Sequence, residues 1–101
     1  MSGVSIVAKR LKEARLRVGI SQKQLGVRAG IDEFSASARI NQYERGKHMP
    51  GLQTLTRLAA VMHLPTPYFY CEDAELAGVI LRFSVLVKAQ RKRLLGLMDE
   101  L

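Results

Sequence analysis

The chain has 101 residues, of which 48% are apolar and 25% are charged, and its formal net charge is +7 at pH 7. This length and composition indicate one small globular domain with at most a short appendage. The charge is uneven: residues 1–71 contain 11 Lys or Arg and 4 Asp or Glu, whereas residues 72–101 contain 5 of each. We therefore expect a polyanion to bind the first part, and we expect a different role for the second.

The cysteine count and the hydropathy pattern exclude a disulfide scaffold and a membrane-spanning protein. Cys71 is the only cysteine, so no intrachain disulfide is possible, and a reducing cytosol fits. No charged start precedes an apolar signal segment, and the longest apolar stretch, residues 76–87, contains Arg82 and is too short to span a bilayer. We therefore expect a soluble, cytoplasmic protein.

The first 30 residues predict two helices in succession. Helix one covers residues 5–18, with Ser5 as its cap. Ser21 can then cap a second helix over residues 22–29, with Gln24 at the capping-box position.

A turn and a third helix follow. Gly30 can adopt a backbone conformation in the turn that a β-carbon would disfavour. Ile40 and Tyr43 lie three residues apart and therefore share the inward face of the third helix. Such an arrangement can present the opposite face of the third helix to a DNA major groove.

The stretch from Val7 to about Tyr70 resembles the helix-turn-helix family of lambdoid phage repressors, Cro proteins and xenobiotic-response-type bacterial regulators. The matching residues are Arg10-Leu11, Arg15, Gly19-Ile20-Ser21-Gln22, Leu25, Ala29-Gly30-Ile31, Tyr43-Glu44-Arg45-Gly46-Lys47, Pro50, Leu55, Leu58-Ala59 and Pro67-Tyr68-Phe69. The resemblance implies a bacterial or phage-encoded protein that forms a compact bundle of four or five helices and binds operator DNA as a dimer.

The third helix departs from the spacing of this family. Eight residues separate Ile31 from Ile40, where the family usually has four. Four residues are close to one helical turn, so the inward face is nearly preserved if the helix begins near Asp32 or Glu33 and Ala36 joins that face. A longer loop is the alternative, and we favour the longer helix because loops of this kind are usually short.

The remaining elements complete an all-α prediction. Helix four covers residues 52–62, and residues 67–70 resemble the short fifth helix of the family, whose aromatic side chains cover the core. We therefore expect a five-helix, repressor-like DNA-binding domain over residues 1–71, with an extended third, or recognition, helix.

Residues 72–101, called the tail from here on, predict a helical dimerisation segment. A seam of eight positions recurs in steps of four and three, as in a heptad repeat. Gln90 is its one polar member, and the seven apolar members are Leu76, Ile80, Phe83, Val87, Leu94, Leu97 and Leu101. β-Branched residues weaken its middle, yet no Gly or Pro interrupts it there, so one long helix and a two-helix hairpin are equal alternatives. Either leaves an apolar face that is most simply a homodimer interface.

The outward face of the third helix supplies the candidate base contacts. With Ile40 inward and about 100° per residue, residues 35, 38 and 42 point most nearly outward. A glutamine can pair with adenine and an arginine with guanine. The candidates are Gln42, Arg39, Ser35, Ala38, Ser37 and Asn41, and the alternative is a solvated polar face.

Two further groups are candidates for phosphate contacts. Gln22 and Lys23 lie in the first turn of helix two, where free N–H groups and the helix dipole favour an anion. Arg45, Lys47 and His48 follow the third helix and should flank the groove, where they would contribute affinity and register. The alternative is plain solvent exposure, which weighs most for His48.

Arg10 and Glu44 occupy positions that pair in the resembling family, which implies a structural ion pair between helix one and the end of helix three. The sequence shows no nucleophile elbow, no complete phosphate-binding loop and no metal-ligand spacing. We therefore expect a protein that is not an enzyme and that uses no cofactor or metal.

These observations predict a sequence-specific transcriptional regulator that binds an inverted-repeat operator as a homodimer and represses where that site overlaps a promoter. Its partners would be double-stranded DNA and a second copy, and the chain leaves little room for a small-molecule effector domain. Two alternatives stay open: an antitoxin-like or adaptor protein whose tail binds another protein, and a controller of a restriction–modification operon.

Overall fold

The computed structural model describes the backbone of residues 3–101 and the side chains from Ile6 onward. Every regular element in this part of the chain is helical, which confirms the all-α prediction. The helices are α1 (Gly3–Val18), α2 (Gln22–Arg28), α3 (Glu33–Glu44), α4 (Leu52–Val61), α5 (Ala74–Ser84) and α6 (Lys88–Met98), and a 3-10 segment (Thr66–Tyr70) lies between α4 and α5.

The α2 helix begins and ends as its sequence predicts. Ser21 Oγ accepts a hydrogen bond from Gln24 N at 3.0 Å, and Gln24 Oε1 accepts one from Ser21 N at 2.9 Å, which completes the capping box. Gly30 has a φ of +90°, which a β-carbon would disfavour. The predicted start of α1 at Ser5 is two residues late, and the capping side chain of Ser5 lies outside the described side chains.

The α3 helix carries the predicted additional turn. It begins at Glu33, and Asp32 caps it through a 3.1 Å hydrogen bond from Phe34 N to Asp32 Oδ2. Ala36 and Ile40 are fully buried, and Tyr43 is 8% exposed. The inward face therefore continues through the extra turn, as the four-residue insertion predicts.

The four helices α1, α2, α3 and α4 and the 3-10 segment share one apolar core. The fully buried side chains include Leu11, Leu25, Leu55, Leu58 and Phe69. Because α3 packs on this core through its inward face, its opposite face remains on the surface.

The tail forms two helices, which decides between the alternatives that the sequence left open. Val87 has an extended conformation, with φ −75° and ψ 164°, so the predicted seam is interrupted there. Of the predicted seam residues, Ile80, Phe83 and Leu94 are half-buried. The others remain exposed, namely Leu76, Val87, Leu97 and Leu101.

Arg91 stabilises the break between α5 and α6. Its Nη2 donates to Ser84 O at 2.9 Å and its Nε donates to Leu86 O at 3.1 Å, so one guanidinium satisfies carbonyls at the end of α5. The same guanidinium carbon lies 4.8 Å from the centre of the Phe83 ring. Arg91 is thus a structural residue.

Over residues 3–101, no helix is both long and apolar enough to cross a bilayer. The described residues also contain no group of three or more His, Cys, Asp or Glu arranged to hold a metal ion.

A close approach between α2 and α3 predicts a sensitive position. A β-carbon built on Gly26 would lie 2.8 Å from Ala36 Cβ and 3.1 Å from Ala36 O. We expect Gly26→Ala to reduce the free energy of unfolding by up to about 2 kcal/mol, because a steric cost of about 1–3 kcal/mol exceeds a helix-propensity gain of about 1 kcal/mol. Urea unfolding measures the change.

The second variant in this test is Ala36→Gly, which removes the facing methyl group. If the close contact causes the loss, the Gly26→Ala/Ala36→Gly variant is more stable than the sum of the two single changes. Simple additivity of the two changes would refute this explanation.

Candidate nucleic-acid interface

A buried ion pair fixes the end of α3 against α1. Arg15 Nε lies 2.6 Å from Glu44 Oε2, and Arg15 Nη2 donates to Glu44 Oε1 at 3.0 Å, so the guanidinium binds the carboxylate through two bonds. The side chains are 12% and 3% exposed, respectively. The hydrogen bond to Glu44 raises the pKa of Arg15 further above its ordinary value, so the guanidinium remains charged.

This pair also connects to α2. Gln22 Nε2 lies 3.1 Å from Glu44 Oε1 and 3.3 Å from Asn41 Oδ1. Arg15 Nη1 donates to Ile20 O at 3.0 Å in the loop between α1 and α2. Side chains from all three helices therefore meet beneath the start of α2 and set the position of α3.

The predicted ion pair between Arg10 and Glu44 is wrong. Arg10 is 4% exposed and binds elsewhere: its Nε donates to Cys71 O at 2.9 Å and its Nη2 donates to Glu72 O at 3.0 Å. Its Nη1 lies 3.0 Å from Glu13 Oε2. Arg10 thus fastens α1 to the segment that leads into α5.

The error has a simple geometric reason. Glu44 lies at the C-terminal end of α3, beside the start of α2, so its partner must come from the end of α1 nearest to α2. Arg15 is five residues, or about 7.5 Å, further along α1 than Arg10. The position of Arg15 just before the α1–α2 loop is the sequence signal that could have identified it.

The outward face of α3 is accessible over its whole length. Five of the six predicted base-contact residues are exposed, namely Ser35, Ser37, Ala38, Arg39 and Gln42. Asn41 is half-buried, because it lies on the side of α3 that faces Gln22. The structure therefore brings five candidates onto one open surface and gives Asn41 a contact within the protein.

The cationic candidates lie at both ends of this surface. Arg45, Lys47 and His48 are exposed in the loop after α3, where Gly46 has a φ of +73° and Lys47 N donates to Gln42 O at 3.0 Å. This hydrogen bond keeps Lys47 at the C-terminal end of α3, next to the exposed face of the helix.

At the other end, Lys23 is exposed, and its Nζ lies 3.5 Å from Glu33 Oε1. An exposed pair of this kind contributes only about 0–1 kcal/mol. It therefore opposes an approaching phosphate only weakly. Among the ion pairs of residues 6–101, Arg39, Arg45 and Lys47 take part in none.

The corrected ion pair predicts which arginine couples to Glu44. We expect Arg15→Met to lower the free energy of unfolding by roughly 3 kcal/mol, because it leaves the buried Glu44 carboxylate without its cation. In a double-mutant cycle with Glu44→Leu, measured by urea unfolding, the two changes should be strongly non-additive.

Arg10→Met is the matched control, since it removes a buried arginine from the same helix. Combined with Glu44→Leu, it should be additive within about 0.5 kcal/mol. Coupling of Glu44 to Arg10 and not to Arg15 would contradict the assignment.

Comparison with known proteins agrees with this architecture. Residues 11–69 match the family model described as helix-turn-helix, of the Cro/C1 type. A solved structure described as the crystal structure of transcriptional regulator BswR has a TM-score of 0.88 and 50% sequence identity, and the match covers 93% of each chain. No curated protein matches the chain.

The family match spans more than half of the chain and includes α2, α3 and the network that positions them. Regulators of this class are generally non-enzymatic. The chain belongs to the Cro/C1-type helix-turn-helix family and is a DNA-binding transcriptional regulator.

Proposed function

We propose that this regulator binds an inverted-repeat operator as a homodimer, inserts α3 into the major groove of each half-site, and represses where the operator overlaps a promoter. The observation that carries the proposal is the open face of α3, held in place by the buried Arg15–Glu44 pair. A helix that must place side chains against particular base edges needs such a fixed position.

Base recognition is assigned to the exposed face of α3. Gln42 has an amide that can accept and donate to adenine in the major groove, and Arg39 has two parallel donors for guanine. Ser35, Ser37 and Ala38 complete the surface with short side chains, which allow the helix backbone to approach the bases closely. Asn41 contributes by holding Gln22, and through it the first turn of α2.

Phosphate binding is assigned to Gln22 and to the basic side chains that flank this face. Gln22 and Lys23 lie at the start of α2, and Arg45, Lys47 and His48 follow α3. Residues 1–71 carry the whole excess of 11 basic over 4 acidic side chains, which supports a DNA-binding role for this part of the chain.

The tail is proposed as the homodimer segment, which divides the chain into residues 1–71 and 72–101. None of the α6 side chains is buried, although an isolated helix of 11 residues is only marginally stable in water. Leucine and valine side chains of the tail leave a broad apolar surface exposed, at Leu76, Val79, Val87, Leu95, Leu97 and Leu101. A partner that covers this surface would stabilise α6.

The dimensions of the single chain support a partner that buries an interface of ordinary size. The radius of gyration is 15.0 Å, whereas a compact chain of this length has about 13 Å. The accessible surface is 6743 Å², roughly 1000 Å² more than a compact monomer of this mass exposes. One side of a standard interface buries about 800 Å².

Charge favours a second copy as that partner. The start of α5 is acidic, with Glu72, Asp73 and Glu75, and the start of α6 is basic, with Lys88 and Lys92. A two-fold axis that brings α6 of one copy beside α5 of the other would place opposite charges together.

The first experiment is selection from a random duplex DNA pool by the purified protein at near-physiological salt. Enrichment of an inverted repeat with half-sites roughly 10 base pairs apart would support specific dimeric binding. Weak, salt-sensitive retention without an enriched sequence would contradict the proposal.

Two substitutions separate base contacts from phosphate contacts. We expect Gln42→Ala to relax the preference at one position of each half-site and to weaken the selected operator by about 1–3 kcal/mol. Lys47→Ala should weaken binding to all sequences alike and reduce the salt slope by about one unit, because it removes one phosphate contact. Fluorescence anisotropy with matched and mismatched duplexes measures both.

Lys12→Ala is the control for Lys47→Ala, since it removes an exposed lysine of α1 that belongs neither to the proposed DNA contacts nor to the proposed dimer surface. It should leave DNA affinity unchanged. Identical behaviour of Gln42→Ala and Lys47→Ala would show that the contacts are sorted incorrectly.

The homodimer is tested with one charged substitution at each of two exposed leucines. Leu97 in α6 is 52% exposed and Leu16 in α1 is 59% exposed, so neither substitution disturbs the core. The two-fold axis of the proposed dimer brings both copies of an aspartate at position 97 into one apolar interface. We therefore expect Leu97→Asp to be a monomer in light scattering, whereas Leu16→Asp should remain a dimer.

A dimeric Leu97→Asp protein would exclude this part of α6 from the interface. A monomeric unmodified protein would instead favour the antitoxin-like or adaptor alternative, in which the tail binds another protein.

A further inference from the structure

Phe34 is an aromatic residue that the core does not use. It is the second residue of α3 and its side chain is 95% exposed, whereas the exposed fraction of Tyr70 is 44%. Aromatic side chains are usually among the principal contributors to a core or an interface. The exposure of Phe34 therefore calls for a partner outside the chain.

The position of Phe34 aligns it with the candidate base contacts. Phe34, Ala38 and Gln42 are spaced four residues apart, so they form one row along α3, and all three are exposed. Each step of four residues advances about 6 Å along the helix, which is nearly two base-pair rises of about 3.4 Å. The extra turn of α3 therefore extends the row toward the helix N-terminus.

The neighbouring acidic side chains, Asp32 and Glu33, both make contacts within the protein. Asp32 Oδ2 accepts a hydrogen bond from Phe34 N at 3.1 Å, and Glu33 Oε1 lies 3.5 Å from Lys23 Nζ on α2. Both carboxylates therefore have contacts within the protein, and the cap holds the backbone of Phe34 in place.

A phenyl ring at this point can recognise only an apolar feature of a base edge. It has no hydrogen-bond donor or strong acceptor, and the C5-methyl group of thymine is the apolar group that the major groove presents. We infer that Phe34 contacts a thymine methyl group in each operator half-site, and that it adds a T·A preference beyond the bases that Gln42 and Arg39 contact. This inference rests on the proposed function.

The first test compares the DNA sequences selected by the unmodified protein and by Phe34→Ala. Alanine keeps the helix propensity high, so α3 is retained, and circular dichroism checks this. We expect Phe34→Ala to lose a thymine preference at one symmetric pair of positions and to keep the preferences at the others. Leu16→Ala, which removes an exposed apolar side chain from α1, should change no position.

The second test removes only the methyl group. Deoxyuridine replaces thymine at that position of the selected operator, and anisotropy measures the affinity. We expect a roughly three- to fivefold loss per half-site for the unmodified protein, the value for exposing one buried methyl-sized group. Phe34→Ala should bind both duplexes equally, and deoxyuridine at a thymine outside the half-sites should have no effect.

Three outcomes would overturn the inference. If the unmodified protein selects an operator and Phe34→Ala selects the same one with every preference intact, Phe34 does not contact a base. Equal uracil penalties for both proteins exclude the thymine methyl group as its target. If the unmodified protein selects no operator, the proposed function fails, and the assignment of Phe34 fails with it.

Discussion

The bidentate bond between Arg15 and Glu44 is the interaction on which the functional surface depends. Buried ion pairs contribute little net stability against apolar alternatives, but they permit few geometries, because an unpaired buried charge is costly. Glu44 is the last residue of α3, and its carboxylate also accepts from Gln22 of α2. The pair thus fixes the angle of α3 against α1 and α2, while the close approach of Gly26 to Ala36 fixes the distance between α2 and α3.

Two arginines of α1, five residues apart, connect this helix to α3 and to the segment just before α5. Arg15 binds the end of α3, and Arg10 binds the carbonyl groups of Cys71 and Glu72 just before α5. The ring of Tyr68 lies beneath Arg10, and its hydroxyl group is 3.4 Å from the Glu13 carboxylate. Burial raises the pKa of Tyr68, so its phenol remains neutral. In a dimer joined through the tail, the spacing of the two α3 helices would depend on both arginines.

Sequence reasoning succeeded where the signal was local and failed where it required distances between helices. The capping box of Ser21 and the additional turn of α3 follow from residues fewer than ten positions apart, and the structure confirms both. The partner of Glu44 lies 29 residues away, and the family resemblance that suggested Arg10 carries no distance between helices that would favour Arg15. The seam pattern left one helix and two as equal alternatives, because the side chain that stabilises the break, Arg91, follows the break in the sequence.

The four-residue insertion has consequences that neither the family pattern nor the core reveals alone. Four residues rotate a helix by about 400°, which is about 40° more than one full turn. Ile40 and Tyr43 therefore stay inside. Each residue of the added turn lies only about 40° around the helix from the residue four positions later. The core therefore accepts the insertion with Ala36 as its only new buried side chain. The other side chains of the turn lie at the surface, and Phe34 among them is 95% exposed. A change that the interior tolerates so easily can alter the exposed surface of α3 without altering the fold.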